Sequence, residues 1–200
     1  MSQKGLSVYT RAVPRYDVPK AAPHPLSVVQ AFVNTVDLEH GREWLATPGD
    51  LERWFADNEI DATAGGRRGV RRAHDLREAF RTLLIANGHG EQPPGRAIQT
   101  VNEAARGLST ELTPDGEISF VDSRHGATTG LAQLVGIAFT SILDGQWPRL
   151  KACRNCRWAF FDYSRNRTAH WCSMTLCGNR QKTRRYRSRQ KRRRAVRQEP

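Results

Sequence analysis

Four cysteines, the only ones among 200 residues, stand as Cys153-x2-Cys156 and Cys172-x4-Cys177, and an arginine-rich tail begins three residues after the last. Two thiolate pairs separated by a fifteen-residue span supply the four soft ligands that a tetrahedral Zn2+ site requires. A Cys-x2-Cys knuckle turns two sulfurs to one side. The last fifty residues contain few aliphatic side chains, so this segment needs a metal to fold. Two disulfides are the alternative use of four paired cysteines, disfavoured in a reducing compartment.

Charge divides the chain at the same place. Residues 1–150 carry 16 Lys and Arg against 18 Asp and Glu, a balance of −2, whereas residues 151–200 carry 16 against 2, a balance of +14. Four thiolates and one Zn2+ would lower the total of +12 to about +10. A positive field confined to one end attracts polyanions. The start of the chain lacks the apolar run of a secretion signal, and nothing approaches the roughly 20 apolar residues of a membrane span. The expected location is cytoplasmic, associated with the nucleoid.

An apolar content of 38% in 200 residues allows one ordinary core plus a small module. Residues 1–25, with Pro14, Pro19, Pro23 and Pro25, read as a flexible arm. Val28, Val29, Phe32, Val33 and Val36 recur at helical steps behind Ser27, placed to cap. Thr47-Pro48 opens a second helix that buries Leu51, Trp54 and Phe55. A long helix is predicted from about Arg67 to Asn87, ended by Gly88, and a shorter one over 96–107. Leu112, Ile118 and Phe120 around Pro114-Asp115-Gly116 predict a short hairpin. Residues 128–144 return to helix, expected to be the most buried. The fold class is therefore a mainly α N-terminal domain with a short β-hairpin over 26–148, followed by a small four-cysteine zinc finger over 149–189 and a basic tail over 190–200.

Within the finger, Trp158 to Tyr163 is expected as a strand, Ser164-Arg165-Asn166-Arg167 as a turn, and Ala169 to Trp171 as a second strand. The helix that follows would start between Cys172 and Cys177, its N-terminus stabilising thiolate. Knuckle, hairpin and helix make a treble-clef-like layout, with a zinc ribbon as the alternative. His170 is the one competing ligand nearby and is read as a backbone-contact residue. Four cysteines leave no open coordination position, so the single zinc is structural.

The run Trp171-Cys172-Ser173-Met174-x2-Cys177-Gly178-Asn179-Arg180, after Cys153-x2-Cys156, resembles the CGNR zinc finger. Phe32-Val33-Asn34-Thr35-Val36-Asp37, followed by Leu45-Ala46-Thr47-Pro48 and Leu51, is similar to the opening of the ABATE domain, which precedes that finger in a family of stress-induced transcription regulators. The resemblance covers roughly residues 26–190. It implies a bacterial DNA-binding regulator with Cys153, Cys156, Cys172 and Cys177 on zinc.

If the helix beginning near Met174 continues, Arg180, Arg184, Arg187, Lys191 and Arg194 form one basic stripe and Lys182, Arg185, Arg189 and Arg192 a second beside it. Arg154, Arg157, Arg165 and Arg167 lie on the knuckle and turn, where they offset the zinc site and reach phosphate. Asn179 either contacts a base or makes a local structural hydrogen bond. Small four-cysteine modules with basic tails also suit structured RNA, so an RNA- or ribosome-binding protein is the alternative partner reading. In the helical domain no nucleophile–base spacing or phosphate loop stands out, and no enzymatic role is expected. Asn34 and Asp37 are the candidates for holding a small-molecule effector, and the same domain is a candidate for forming a homodimer.

Overall fold

A computed structural model describes residues 20–116, 118–122 and 127–196. The spacing of Val29, Phe32 and Val33 makes α1 (Leu26–Val33), which buries all three. Its start differs from the sequence reading. Pro25 takes the capping position and Ser27 lies inside the first turn, because proline lacks the N–H that a helix start leaves unpaired. Its end differs too: Val36 leaves the helix for β1 (Val36–Asp37), which pairs antiparallel with β2 (Arg42–Glu43). In α2 (Pro48–Asp57) the expected cap is present. The Asp50 N–H donates to the Thr47 hydroxyl at 3.2 Å, and the Thr47 N–H donates to the Asp50 carboxylate at 2.9 Å, a capping box.

The long helix α3 (Gly66–His89) has 24 residues, a rod of about 36 Å. It ends at Gly90, whose φ of 70° only a residue without Cβ adopts freely. Gly88, expected as the terminator, lies inside the helix, where a Cβ would sit 3.7 Å from the Ala152 carbonyl oxygen. After α4 (Gly95–Ala104) the predicted hairpin appears as β3 (Leu108–Leu112) and β4 (Ile118–Asp122). Leu112 faces Ile118 across the turn. The hairpin packs on α5 (Ala127–Leu143), where a side chain at Gly136 would meet the Phe120 Cβ at 3.0 Å. Gly130 is pressed against Phe55 and Ala62, at under 3 Å from where its Cβ would be, so α5 crosses α2 at contact distance. The far end of α5 is less buried than its pattern predicts, leaving Ile142 and Leu143 exposed.

A 3-10 turn (Trp147–Arg149) leads into β5 (Leu150–Ala152), which pairs antiparallel with β6 (Ala159–Phe161). This hairpin runs through the first cysteine pair instead of following it. Ala169 to Trp171 form no strand; their backbone is spent elsewhere, His170 accepting from the Arg154 N–H at 3.1 Å and Ala169 donating to Asp162 at 2.9 Å. A π-turn (Met174–Gly178) opens the last helix, α6 (Asn179–Val196). Helix thus continues past Arg189 into the predicted tail.

The main core extends into the finger, and a second, smaller cluster surrounds the cysteines. Leu150, Ala152, Ala159 and Phe161 belong to the same apolar cluster as Phe32, Phe55, Phe80 and Leu134. Polar staples reinforce the seam. Asn34 donates to the Ala159 carbonyl at 3.0 Å and accepts from the Ala159 N–H at 2.7 Å, while Gln30 donates to the same carbonyl at 3.2 Å. The Lys20–Pro25 end of the predicted arm is packed against this seam. The Lys20 carbonyl accepts from the Phe161 N–H, and the Tyr163 hydroxyl donates to the Ala21 carbonyl. Residues 1–19, the rest of that arm, lie outside the described residues.

Candidate metal centre

The knuckle is shaped by its own backbone. The Cys153 N–H donates to the Trp158 carbonyl at 2.8 Å and the Arg157 N–H to the Cys153 carbonyl at 2.9 Å, which turns Arg157 into the left-handed region with φ 63°. That strained residue is held from outside. Arg81, buried on α3, donates to the Arg157 carbonyl at 2.8 Å and to the Val33 carbonyl, with its Nε on Glu78 at 2.9 Å. Burial lowers the Arg81 pKa, while Glu78 and the neighbouring Cys156 sulfur favour its charge.

The second pair sits where a helix begins. The Ser173 hydroxyl accepts from the Leu176 N–H at 3.2 Å, and its carbonyl accepts from the Cys177 and Gly178 N–H groups. Cys177 therefore lies in the first turn, where unpaired N–H groups and the helix dipole favour a thiolate. Gly178 packs its backbone against Met174 and Trp171.

All four sulfurs lie within 4.8 Å of one another and all four cysteines are buried. Cys156, Cys172 and Cys177 form a triangle with sides of 3.6, 3.7 and 3.6 Å. Ligands about 2.3 Å from a tetrahedral Zn2+ stand about 3.8 Å apart, so the cluster has the dimensions of one zinc ion. Left to themselves, thiols this close compete for protons. Hydrogen bonds from Cys156, Cys172 and Cys177 draw Cys153 far below the usual thiol range, and hydrogen bonds with Cys153 push Cys172 and Cys177 far above it. A dication bound by four thiolates removes that conflict. One structural zinc, held by Cys153, Cys156, Cys172 and Cys177, fits the site; it supplies cross-linking and no open position for chemistry.

Around the sulfurs, Trp158 and Phe160 are buried and Trp44 meets Trp158 edge to face, with centroids 6.5 Å apart. Asn155, between the first two ligands, donates to the Cys177 sulfur at 3.6 Å and accepts from Gln181 and Arg184, each at 3.2 Å. It links the knuckle to α6, an outer-shell role that orients a ligand. Sequence reading missed it, although a knuckle amide is a natural partner for thiolate. Asp162, fully buried, organises the loop to the second pair through Lys151 at 2.8 Å, Ser164 N–H and Ala169 N–H. Burial pushes its pKa up, but Lys151 and those donors outweigh it and hold the carboxyl at about 2.

The other predicted residues separate into two groups. Arg165 and Arg167 are exposed on the expected turn, where the Arg167 N–H donates to the Ser164 carbonyl. Asn179, Lys182, Arg187 and Arg189 are exposed along α6; the side chains of Arg185 and of Lys191 onward lie outside the described residues. Arg154 reaches back to the Gly88 carbonyl at 2.8 Å, Arg157 is half-buried, and Arg180 pairs with Glu39. Asn34 and Asp37, the candidates for holding an effector, lie in the interior. Both are buried, Asn34 spent on Ala159 and Asp37 on the Glu39 and His40 N–H groups and the His40 ring at 2.7 Å. Their polar atoms hold the local structure. His170 stands apart from the sulfur cluster, its buried Nδ1 without a hydrogen bond among the described residues.

The family model for ABATE, described as a putative stress-induced transcription regulator, matches residues 26–145, and that for the CGNR zinc finger matches residues 149–190. The chain belongs to the ABATE family and carries a CGNR zinc finger. Of the four residues that name the finger, Cys177 is a ligand, Gly178 packs closely, Asn179 is exposed and Arg180 meets Glu39 of the ABATE domain. No curated protein matches the chain. No helix among the described residues is long and apolar enough to cross a membrane.

Proposed function

We propose that this ABATE protein is a zinc-dependent, DNA-binding transcriptional regulator in which α6 is the contacting element. The observation that carries the reading is the make-up of that helix. Over 18 residues it holds ten Lys and Arg and no Asp or Glu, and it follows directly on the π-turn that carries the ligand Cys177. Such a rod spans about 27 Å. Its cations favour phosphate contacts, which position a protein on duplex without reading sequence. Lys182, Arg187 and Arg189 are exposed along it, with Arg165 and Arg167 on the adjacent loop.

Zinc acts indirectly. It ties the first turn of α6 to the knuckle, so that the charge is presented in one orientation. Six phosphate contacts correspond to a slope of about −5 in log affinity against log salt.

The test is selection of zinc-loaded full-length protein on a random duplex DNA pool at near-physiological salt. Enrichment of one motif supports sequence-specific regulation. Retention without enrichment leaves a basic phosphate binder of nonspecific DNA or of RNA, and displacement by structured RNA at lower concentration than by duplex DNA moves the protein to the RNA-binding class.

A further inference from the structure

An apolar cleft of about 210 Å³ opens between α3, α4, α5 and the turn at Trp147. Phe80, Phe139, Ile142, Ile98 and Trp147 are among its lining residues, none of which is charged or titratable. Phe80 and Trp147 stand with centroids 5.9 Å apart, tilted by 59°, which gives the cleft an aromatic floor. At its mouth Ile98 and Ile142 are 41% and 50% exposed. An opening of this size forgoes packing contacts that a filled core would make. It exceeds the roughly 150 Å³ of an apolar cavity that takes up benzene, so the occupant it fits is an uncharged aromatic compound of about ten non-hydrogen atoms.

Two polar side chains, Asn87 and the exposed Asn102, also line it, and Asn87 bonds to the turn that follows α5. Its Nδ2 donates to the Trp147 carbonyl at 2.9 Å and to the Leu150 carbonyl at 3.0 Å. Leu150 begins β5, which runs directly into the ligand Cys153. A molecule resting on Trp147 and Asn87 therefore touches the two residues that fix where the strand to the zinc knuckle starts.

We propose that this cleft is a binding site for a small, uncharged aromatic ligand, and that filling it braces β5 and so tightens the metal centre. Coupling of this kind requires that the ligand prefer the seated strand over a looser one. The proposal concerns the ABATE domain and the zinc site, and stands whether the polyanion contacted by α6 is DNA or RNA.

Indole is a suitable probe, with tryptophan as a charged control of the same ring. Binding to the zinc-loaded full chain is followed by saturation-transfer NMR and thermal shift, and zinc loss by transfer to a chromogenic chelator. Indole is expected to bind and raise Tm, tryptophan is not, and saturating indole should slow zinc transfer by roughly fivefold or more. Ile142→Arg, at a half-exposed position, should keep the ligand-free Tm and weaken indole binding by about tenfold or more. Absence of indole binding to wild type, or equal binding to Ile142→Arg, overturns the site. Binding with unchanged zinc transfer overturns the bracing. A chain that self-associates through this face, with Ile142→Arg restoring monomers in sedimentation, also overturns the site by assigning the cleft to a second copy.

Discussion

The two halves of the zinc site rest on different foundations. Cys153 and Cys156 lie on a hairpin whose strands share the core of the ABATE domain and are stapled to it by Asn34, Gln30 and Arg81. Cys172 and Cys177 lie at the start of a helix that meets the body mainly at Asn155 and Glu39. The first half is positioned by packing; the second is positioned by the metal. Zinc therefore attaches a charged helix to a knuckle whose hairpin strands already share the core of the ABATE domain.

The largest effect should come from removing the attachment. Zinc ligation in finger peptides is worth on the order of 10 kcal/mol. Chelation, or Cys177→Ser, should release α6 and lower polyanion affinity at low salt by about 100-fold or more. Hydrogen exchange on the same sample should show β5 and β6 still protected. Loss of protection in the hairpin together with α6 would break the comparison.

Asp162→Asn comes next, because it leaves the Lys151 ammonium buried without its carboxylate. The expected loss is about 3 kcal/mol in urea unfolding. The native pKa of about 2 lies below the ordinary value of 3.8, so this contribution is complete above about pH 4. It should fall away as pH drops towards 2. A zinc-loaded Asp162→Asn protein with wild-type stability at pH 7 would show that the loop between ligand pairs is not held by this ion pair.

Asn34→Ala tests the seam from the other side. It unpairs the Ala159 N–H and leaves the Ala159 carbonyl to Gln30 alone, at a cost of about 2 kcal/mol. Because β6 follows the knuckle, zinc affinity should fall as well. Unchanged zinc affinity would mean that the hairpin holds its shape without the ABATE domain. The smallest effect is expected towards the free end: Arg189→Ala, at an exposed position, should flatten the salt slope by about 0.9, the share of one phosphate, leaving Tm unchanged.

How far the sequence reveals this architecture depends on the range of the interactions. The metal ligands follow from spacing, since local turns fix Cys-x2-Cys geometry. Helices α2, α3 and α5 follow from apolar periodicity and the Thr47 cap. The β3–β4 turn follows from Pro114-Asp115-Gly116. The partner of β6 did not follow, because Ala169 to Trp171 has the same apolar look as a strand while β5 lies on the other side of the knuckle. Asn34 reads from the sequence as an effector candidate, whereas in the fold its amide staples β6. Its partner Ala159 is 125 residues away, and nothing local marks an amide as a staple. The apolar cleft was likewise invisible, being formed by side chains of four elements that each read as ordinary core.

The seam also sets an order of events during synthesis. A ribosome adding roughly 5–20 residues per second releases α1 and α3 well before β6. Until Ala159 emerges, Asn34 and Gln30 have no strand to hold and Arg81 has no Arg157 carbonyl to cap. The N-terminal two-thirds of the chain must wait as an incomplete fold for the piece that completes it. A nascent chain stopped near residue 148, at the edge of the ABATE match, should consequently behave as a chaperone client.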